Sequence, residues 1–465
     1  KRSVLLINLL KRYIVINSFI VNDMIDLVRS VVLDNPEAKK KLATLGIISL
    51  VQRAVVDWSG SSDVQLNLNC LVLEFLQDKD STTLAIAIAC GGLKSLAAII
   101  NINYTSSTKH QELIHKVVDT IPSILRESKS LAKNDMYRLM ADDSILPGLS
   151  QTVLHLIKMD NSQSWIYADK IVQILYKFAD GGDSAVKLSM MEKGVINCII
   201  TCLKTENEKG STNLIRLKVK LLQVILKLAM EQTTLEHLQE AGMISVLVSL
   251  MSDKSFRNHS LLTLFYLTKT NPKRQELAAI AGIVPQLLHV INTNDPSKQI
   301  ALQIFCYIAH ASDKTREILW KCNALELFCK LLNDKYWFRF AITSLSKWLT
   351  SDTKRMENKL IEETNINALV KMFSSVQGLD FENCLDPIRE MVQKSIVLNV
   401  ALGTLDVFVE EILKRIGSNP KAMLRFNLLK LIKLLYEEHP YPIEFIMKHK
   451  LVPLMNQLVK DDGMV

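Results

Sequence analysis

Apolar and polar positions along the chain follow a helical period rather than a strand period. In SFRNHSLLTLFYLTKT, residues 255–270, Leu261, Leu264, Phe265 and Leu267 fall on one face of a helix. The same spacing runs through DPSKQIALQIFCYIAHAS at 295–312 and DKYWFRFAITSLSKWLTSD at 334–352. Ahead of such long runs stand two shorter ones divided by a glycine or asparagine, as in TNPKRQELAAIAGIVPQLLHVI at 270–291. The pattern predicts a unit of three helices, short, medium and long.

The unit recurs. Its dividing residue reappears at Gly46, Gly92, Ser144, Gly194, Gly242, Gly282, Asn323, Asn365, Gly403 and Lys450, at about the 40–50-residue period of armadillo and HEAT repeats. Glycine and asparagine suit that place because the chain must turn there through the left-handed region. Pro147, Pro285 and Pro453 follow just after it, at the start of the second helix, where a missing N–H costs nothing. One unit cannot bury its apolar face alone, so neighbours must stack. The expected fold is all-α: a right-handed armadillo- or HEAT-like superhelical solenoid of about ten three-helix repeats. Residues 1–465 read as one such solenoid, with N-terminal capping helices at 1–35, repeats at 36–442 and a C-terminal cap at 443–465.

Composition agrees. The 465 residues are 48% apolar but only 6% aromatic, and 15 glycines and 11 prolines leave no linker-like stretch. The eight cysteines form no CxxC pair and have no histidine at zinc spacing, which predicts reduced, intracellular thiols. Cys198 and Cys202, one helical turn apart, read as core. The nine histidines are isolated, and no metal is expected. The apolar opening VLLINLLKRYIVINSFIV is broken by Lys11, Arg12 and Asn17, short of the roughly 18 apolar residues of a membrane span. The chain does not start with Met and is expected to be a piece of a longer protein.

Catalytic signatures are missing: there is no GxGxxG, GxxxxGK[ST], HExxH, GxSxG, His-Arg-Asp loop or Asp-Phe-Gly triplet. No enzyme activity and no cofactor are therefore expected of this chain, and function is expected to lie on its surface. In an armadillo stack the third helices line a groove, and side chains at equivalent positions form a ladder that a bound segment can read. Matching the helix ends puts Lys177, Lys227, Tyr266, Tyr307 and Lys347 on the principal rungs. Gln173, Gln223, Leu262, Gln303 and Thr343 stand one turn earlier. The candidate groove is Gln173, Lys177, Gln223, Lys227, Tyr266, Gln303, Tyr307 and Lys347. Lysine rungs and a net charge of +8 favour an acidic or phosphorylated protein segment over the Lys-rich cargo of importin-type armadillo proteins. Basic positions such as Arg216, Lys218 and Lys220 alternate with apolar ones, so a nucleic-acid stripe is not expected.

Several long segments carry a family resemblance: LFYLTKTNPKRQELAAIAGIVPQLLHVI, IAHASDKTREIL, LLNDKYW and LRFNLLKLIKLLYEEHPYP. They resemble the C-terminal armadillo region of plant MAP kinase kinase kinase epsilon and of the fungal septation initiation and mitotic exit network kinases. The resemblance is densest from Leu264 to Pro442. It implies a Ser/Thr protein kinase whose catalytic domain, with its ATP and Mg, precedes residue 1. It also implies a cytoplasmic and spindle-pole-body location, a spindle-pole scaffold and a Ras-like small GTPase as partners, and a role in septation, cytokinesis or mitotic exit. Trp337 and Trp348 in the matching DxYW stretch read as core. Two other readings remain open at this point: a nuclear-transport or nucleic-acid adaptor, and an autoinhibitory module acting on its own kinase domain. The apolar segment with Ile14, Ile16, Phe19 and Ile20 is either a capping helix or the contact of a homodimer.

Overall fold

A computed structural model describes residues 2–14, 18–33, 35–127, 133–206, 211–293, 295–418 and 420–462. Ile16 and the Phe19 side chain lie outside the described part. The described residues form helices and turns with no strand. The chain divides into two compact units, Lys1–Leu267 and Thr268–Val465.

In the first unit, helix Arg2–Tyr13 leads to five three-helix repeats whose long third helices follow an initial long one. The long helices are α1 (Ser18–Val32), α2 (Ser62–Leu76), α3 (Thr108–Glu127), α4 (Ser162–Gly181), α5 (Thr212–Ala229) and α6 (Lys254–Thr268). In the second unit four repeats contribute α7 (Lys298–Ala311), α8 (Phe338–Ser351), α9 (Gly378–Lys394) and α10 (Ala422–Glu437), followed by Pro442–Lys448 and Leu451–Asp462. Within the first unit α1 to α5 pack in succession, most extensively α4 on α5, and within the second α7 to α10 do so, most extensively α8 on α9. The all-α armadillo-type solenoid expected from the repeat is the observed architecture.

The core is aliphatic with sparse aromatic anchors. Phe305 stacks on Phe328 at 4.5 Å between ring centroids, and Trp348 stands edge-on to Phe328 at 6.1 Å. Trp337 and Trp348 are both buried, as their size and pattern predict. So are Cys198 and Cys202, whose helix Val195–Lys204 puts both thiols inside.

The turn between first and second helices explains the dividing residues. Gly46, Gly194, Gly242 and Gly282 have φ between 76° and 91°, and Ser144, Asn323 and Lys450 also turn left-handed. Three positions differ from expectation. At the Gly91-Gly92 pair it is Gly91 that takes the left-handed turn. Gly92 starts the next helix, where an added Cβ would come within 2.6 Å of the Ala87 carbonyl oxygen. Asn365 lies inside helix Glu363–Ser375, and its Nδ2 donates to the Lys359 carbonyl, closing the turn by a side-chain bond instead. Gly403 is the last residue of helix Ile396–Gly403 and is followed by an ordinary right-handed Thr404. Pro147, Pro285 and Pro453 each occupy the third position of a second helix.

A second regularity sits at the joints between repeats. Asn35, Asp80, Asp183, Asn271, Ser312 and Ser395 each precede a first helix, and each side chain accepts from the backbone N–H three residues on at 3.0–3.3 Å. Such a cap satisfies a donor that the helix start leaves open.

Candidate partner-binding face of the third helices

The ladder positions recur because each third helix ends at the same place in its repeat, just before the next first helix. In the first unit Gln173 and Lys177 lie on α4, Gln223 and Lys227 on α5, and Tyr266 on α6. Gln173 and Lys177 are exposed, and the other three are half-buried. In the second unit Gln303 and Tyr307 on α7 are half-buried, while Lys347 on α8 is exposed. All eight positions are on third helices.

The lysine rungs are not all bare. Lys227 Nζ pairs with Asp180 on the preceding helix at 2.8 Å, a bond that raises the lysine pKa, and sits 6.0 Å from the Tyr176 ring centroid. Lys170 pairs with Asp119 at 2.5 Å, Lys220 pairs with Asp169, and Gln173 donates to Asp169 at 2.7 Å. In the second unit Lys347 stands 4.0 Å from Glu390, and Arg339 stands 3.3 Å from Asp380. Exposed pairs of this kind contribute only about 0–1 kcal/mol each, but they cancel charge along the face. Among the described residues, Lys177 has no carboxylate within ion-pair distance and remains a bare rung. The sequence reading missed the acids because it aligned lysines only. The signal was present, since Asp119, Asp169 and Asp180 each precede a paired lysine by 47–51 residues, about one repeat.

The second unit holds a cleft on this face, about 540 Å³, between α7, α8 and α9. Cys306, Tyr307, His310, Arg339, Phe340, Thr343 and Asn383 line it. Phe340 is 43% exposed, a large aromatic surface left open. Burial pushes the Cys306 thiol up to about 12, so it contributes apolar surface rather than a nucleophile. His310 Nε2 lies 3.1 Å from Ser344 Oγ. Tyr307 and Thr343 were found by matching helix ends. Phe340, Arg339 and Asn383 were not, because they sit on the earlier turns of α8 and α9. The cleft suits an extended segment bearing an apolar or aromatic side chain beside an anionic group.

No group of three or more metal-ligating side chains gathers among the described residues. No single helix there is long and apolar enough to cross a membrane, and the two apolar helices Ser81–Ala89 and Gly92–Ile100 meet at 77°.

No protein-family model matches the chain. Cytokinesis protein sepH of Emericella nidulans is 25% identical over 457 residues, 95% of this chain and 33% of that protein. MAP3K epsilon protein kinase 1 of Arabidopsis thaliana is 30% identical over 303 residues, 63% of this chain and 21% of that protein. Cell division control protein 7 of Schizosaccharomyces pombe is 24% identical over 389 residues, 81% of this chain and 35% of that protein. This chain thus spans about a third of the length of the fungal relatives it matches. An engineered protein of known structure superposes with a TM-score of 0.51 at 14% identity, covering 94% of this chain and 99% of its own, a likeness of fold alone. The chain is a homologue, over an armadillo-type repeat region, of cytokinesis protein sepH, cell division control protein 7 and the MAP3K epsilon protein kinases.

Proposed function

We propose that this chain is the non-catalytic interaction and targeting region of a cell-division Ser/Thr protein kinase. In this reading its third helices dock an acidic or phosphorylated segment of a spindle-pole scaffold, with a Ras-like small GTPase as a second partner. The protein acts in the cytoplasm and at the spindle pole body, in septation, cytokinesis or mitotic exit. ATP and Mg belong to the parent's catalytic domain. The observation that carries the docking role is the open cleft of the second unit, where the Phe340 and Tyr307 rings lie beside Arg339. Its aromatic lining offers apolar burial and its guanidinium a charge-assisted contact.

The test is a fluorescence titration of the chain with acidic scaffold peptides, phosphorylated and unphosphorylated. Arg339→Glu should weaken the phosphorylated peptide more than tenfold, and so, for a peptide reaching the first unit, should Lys177→Glu. Lys227→Glu should do less, because Asp180 holds that half-buried lysine at 2.8 Å, a closer pair than the 3.3 Å between Asp380 and the more exposed Arg339. Equal affinity of wild type and Arg339→Glu would remove the cleft from the docking surface.

A further inference from the structure

The α7–α9 cleft has a neighbour. A second hollow, about 330 Å³, lies where the second helices Leu325–Leu331 and Glu363–Ser375 give way to α8 and α9. Among its lining residues Leu332, Phe338 and Val376 are apolar, and Asp334, Lys335 and Asp380 are charged. Both walls are fixed. Asp334 Oδ1 accepts from the Tyr336 and Trp337 N–H groups at 2.9 and 3.2 Å. Arg415 of the next repeat holds the carbonyls of Phe373, Ser374 and Val376 on the other side. One ion pair joins the two hollows: Arg339 lines the cleft, Asp380 lines the second hollow, and Nη1 stands 3.3 Å from Oδ1. Its members are 49% and 48% exposed, and among the described residues neither has another ion-pair partner.

We propose that the cleft and the second hollow form one docking surface for an extended partner segment with an aromatic, an acidic and a basic side chain in turn, which binds by exchanging the Arg339–Asp380 pair for two pairs of its own. This rests on the docking role proposed above for the α7–α9 cleft. While Arg339 and Asp380 hold each other, the second hollow is balanced, with Asp334 against Lys335. An acidic or phosphorylated group that takes Arg339 from the cleft side leaves Asp380 unanswered, so that two carboxylates stand against one lysine. A basic side chain of the same segment restores the balance and lays its methylene stem on Leu332, Phe338 and Val376. Exposed ion pairs are weak, so opening the resident one costs little. In an extended segment alternate side chains point the same way about 7 Å apart, a spacing that sets an acid and a base on opposite sides of a single ion pair.

The probes are short labelled peptides with a phenylalanine, a phosphoserine and a lysine at alternate positions, made in both chain directions, each with a control that has alanine for the lysine. They are titrated into the 465-residue chain by fluorescence anisotropy. In one direction the lysine peptide should bind about three- to fivefold more tightly than its control. Asp380→Asn should remove that preference and at the same time tighten the control, because Arg339 is no longer held. Asp334→Asn keeps the oxygen that the Tyr336 and Trp337 N–H groups need, and should reduce the preference without tightening the control. Both changes are isosteric at carboxylates open to solvent, so the variants should keep the wild-type melting curve. Equal binding of lysine peptides and controls, with Arg339→Glu still weakening both, would overturn the ion-pair exchange and leave the docking role standing. Weaker binding of the control by Asp380→Asn would overturn the exchange as well. Failure of every peptide to bind saturably would overturn the exchange and the docking role together.

Discussion

Arg415 shows how single side chains hold adjacent repeats together. It reaches from helix Asp406–Gly417 to the end of helix Glu363–Ser375 in the preceding repeat, where Nη2 donates to the carbonyls of Phe373, Ser374 and Val376 at 2.9–3.1 Å. Nε donates to Glu411 at 2.8 Å, and the guanidinium lies 3.8 Å from the Phe381 ring centroid. The last carbonyls of a helix lack internal partners and carry its negative end, so a cation there answers both needs. Within single repeats, Lys218 answers the Thr205 carbonyl at 2.6 Å in the same way, and Arg257 the Met251 carbonyl at 3.0 Å. Arg415→Met should cost about 2–3 kcal/mol, since it leaves three carbonyls unpaired and Glu411 with Lys414 alone, at 3.4 Å. Faster amide exchange across 363–376 and 406–417 would register it. A second residue-scale expectation concerns acid. His115 is buried, stacked on Tyr167 at 3.6 Å between centroids, with Nε2 2.8 Å from Tyr104 Oη. Burial lowers its pKa, with Lys170 adding to this, while Asp119 and Glu112 pull the other way. A lowered histidine pKa means that the unfolded chain binds the proton first. The stabilisation is therefore complete above the ordinary value near 6.5 and is lost as pH falls from there through the folded value. Exchange protection in α3 and α4 should drop between pH 7 and pH 5 in wild type, and His115→Gln should flatten that dependence.

Among the elements, the second helices stack closely, and Gly148 marks one such approach. It lies in helix Ile145–Met159, where a Cβ would meet Ile100 Cγ2 at 2.6 Å and the Ile100 carbonyl oxygen at 3.0 Å. Glycine inside a helix is unfavourable by about 0.5–1 kcal/mol against alanine, so here close packing outweighs propensity. Gly148→Val should destabilise the contact between Gly92–Ile100 and Ile145–Met159 by about 2–3 kcal/mol, read as a lower first transition in thermal unfolding. Gly282→Ala should have a smaller effect, about 1–2 kcal/mol, because φ there is 91° but no atom lies within 4 Å of the new methyl. A melting point as low as that of Gly148→Val would contradict this ranking. Much of this layer was legible in the sequence: the period, the helix order and most left-handed turns follow from apolar spacing and from glycine. The Gly91-Gly92 ambiguity was not, because either residue tolerates the turn and only the approach of Ala87 decides. Nor was the Asn365 closure, since an asparagine side chain can bond a carbonyl as readily as its backbone can turn left-handed.

At the scale of the whole molecule, the +8 charge does not make the third-helix face a uniformly basic surface. Carboxylates of neighbouring helices answer many of its lysines, and that pairing joins residues 43–51 positions apart in sequence, beyond the reach of any local pattern. The rungs were therefore locatable from helix ends, whereas their net charge shows only when acids are aligned one repeat back. In a stack of repeats each unit contacts chiefly its neighbours, so stability is close to a sum of local terms. A lesion such as Gly148→Val should thus raise exchange in 81–181 while leaving 353–437 at wild-type rates. Uniform loss of protection across both segments would show longer-range cooperativity than the packing implies.

The capped joints between repeats carry an evolutionary consequence. Because the residue that opens each capped repeat caps a backbone N–H only three positions ahead, the helix-start bond itself lies within the repeat it starts, while Asp80, Asp183, Ser312 and Ser395 also bond Lys40, Arg138, Glu276 and Glu357 of the repeat before. A duplication or deletion spliced at Asp183, Asn271, Ser312 or Ser395 would carry its own start signal with it. Lineages of this architecture are thereby free to change length in whole repeats, while insertions inside a repeat would have to rebuild a cap or a left-handed turn.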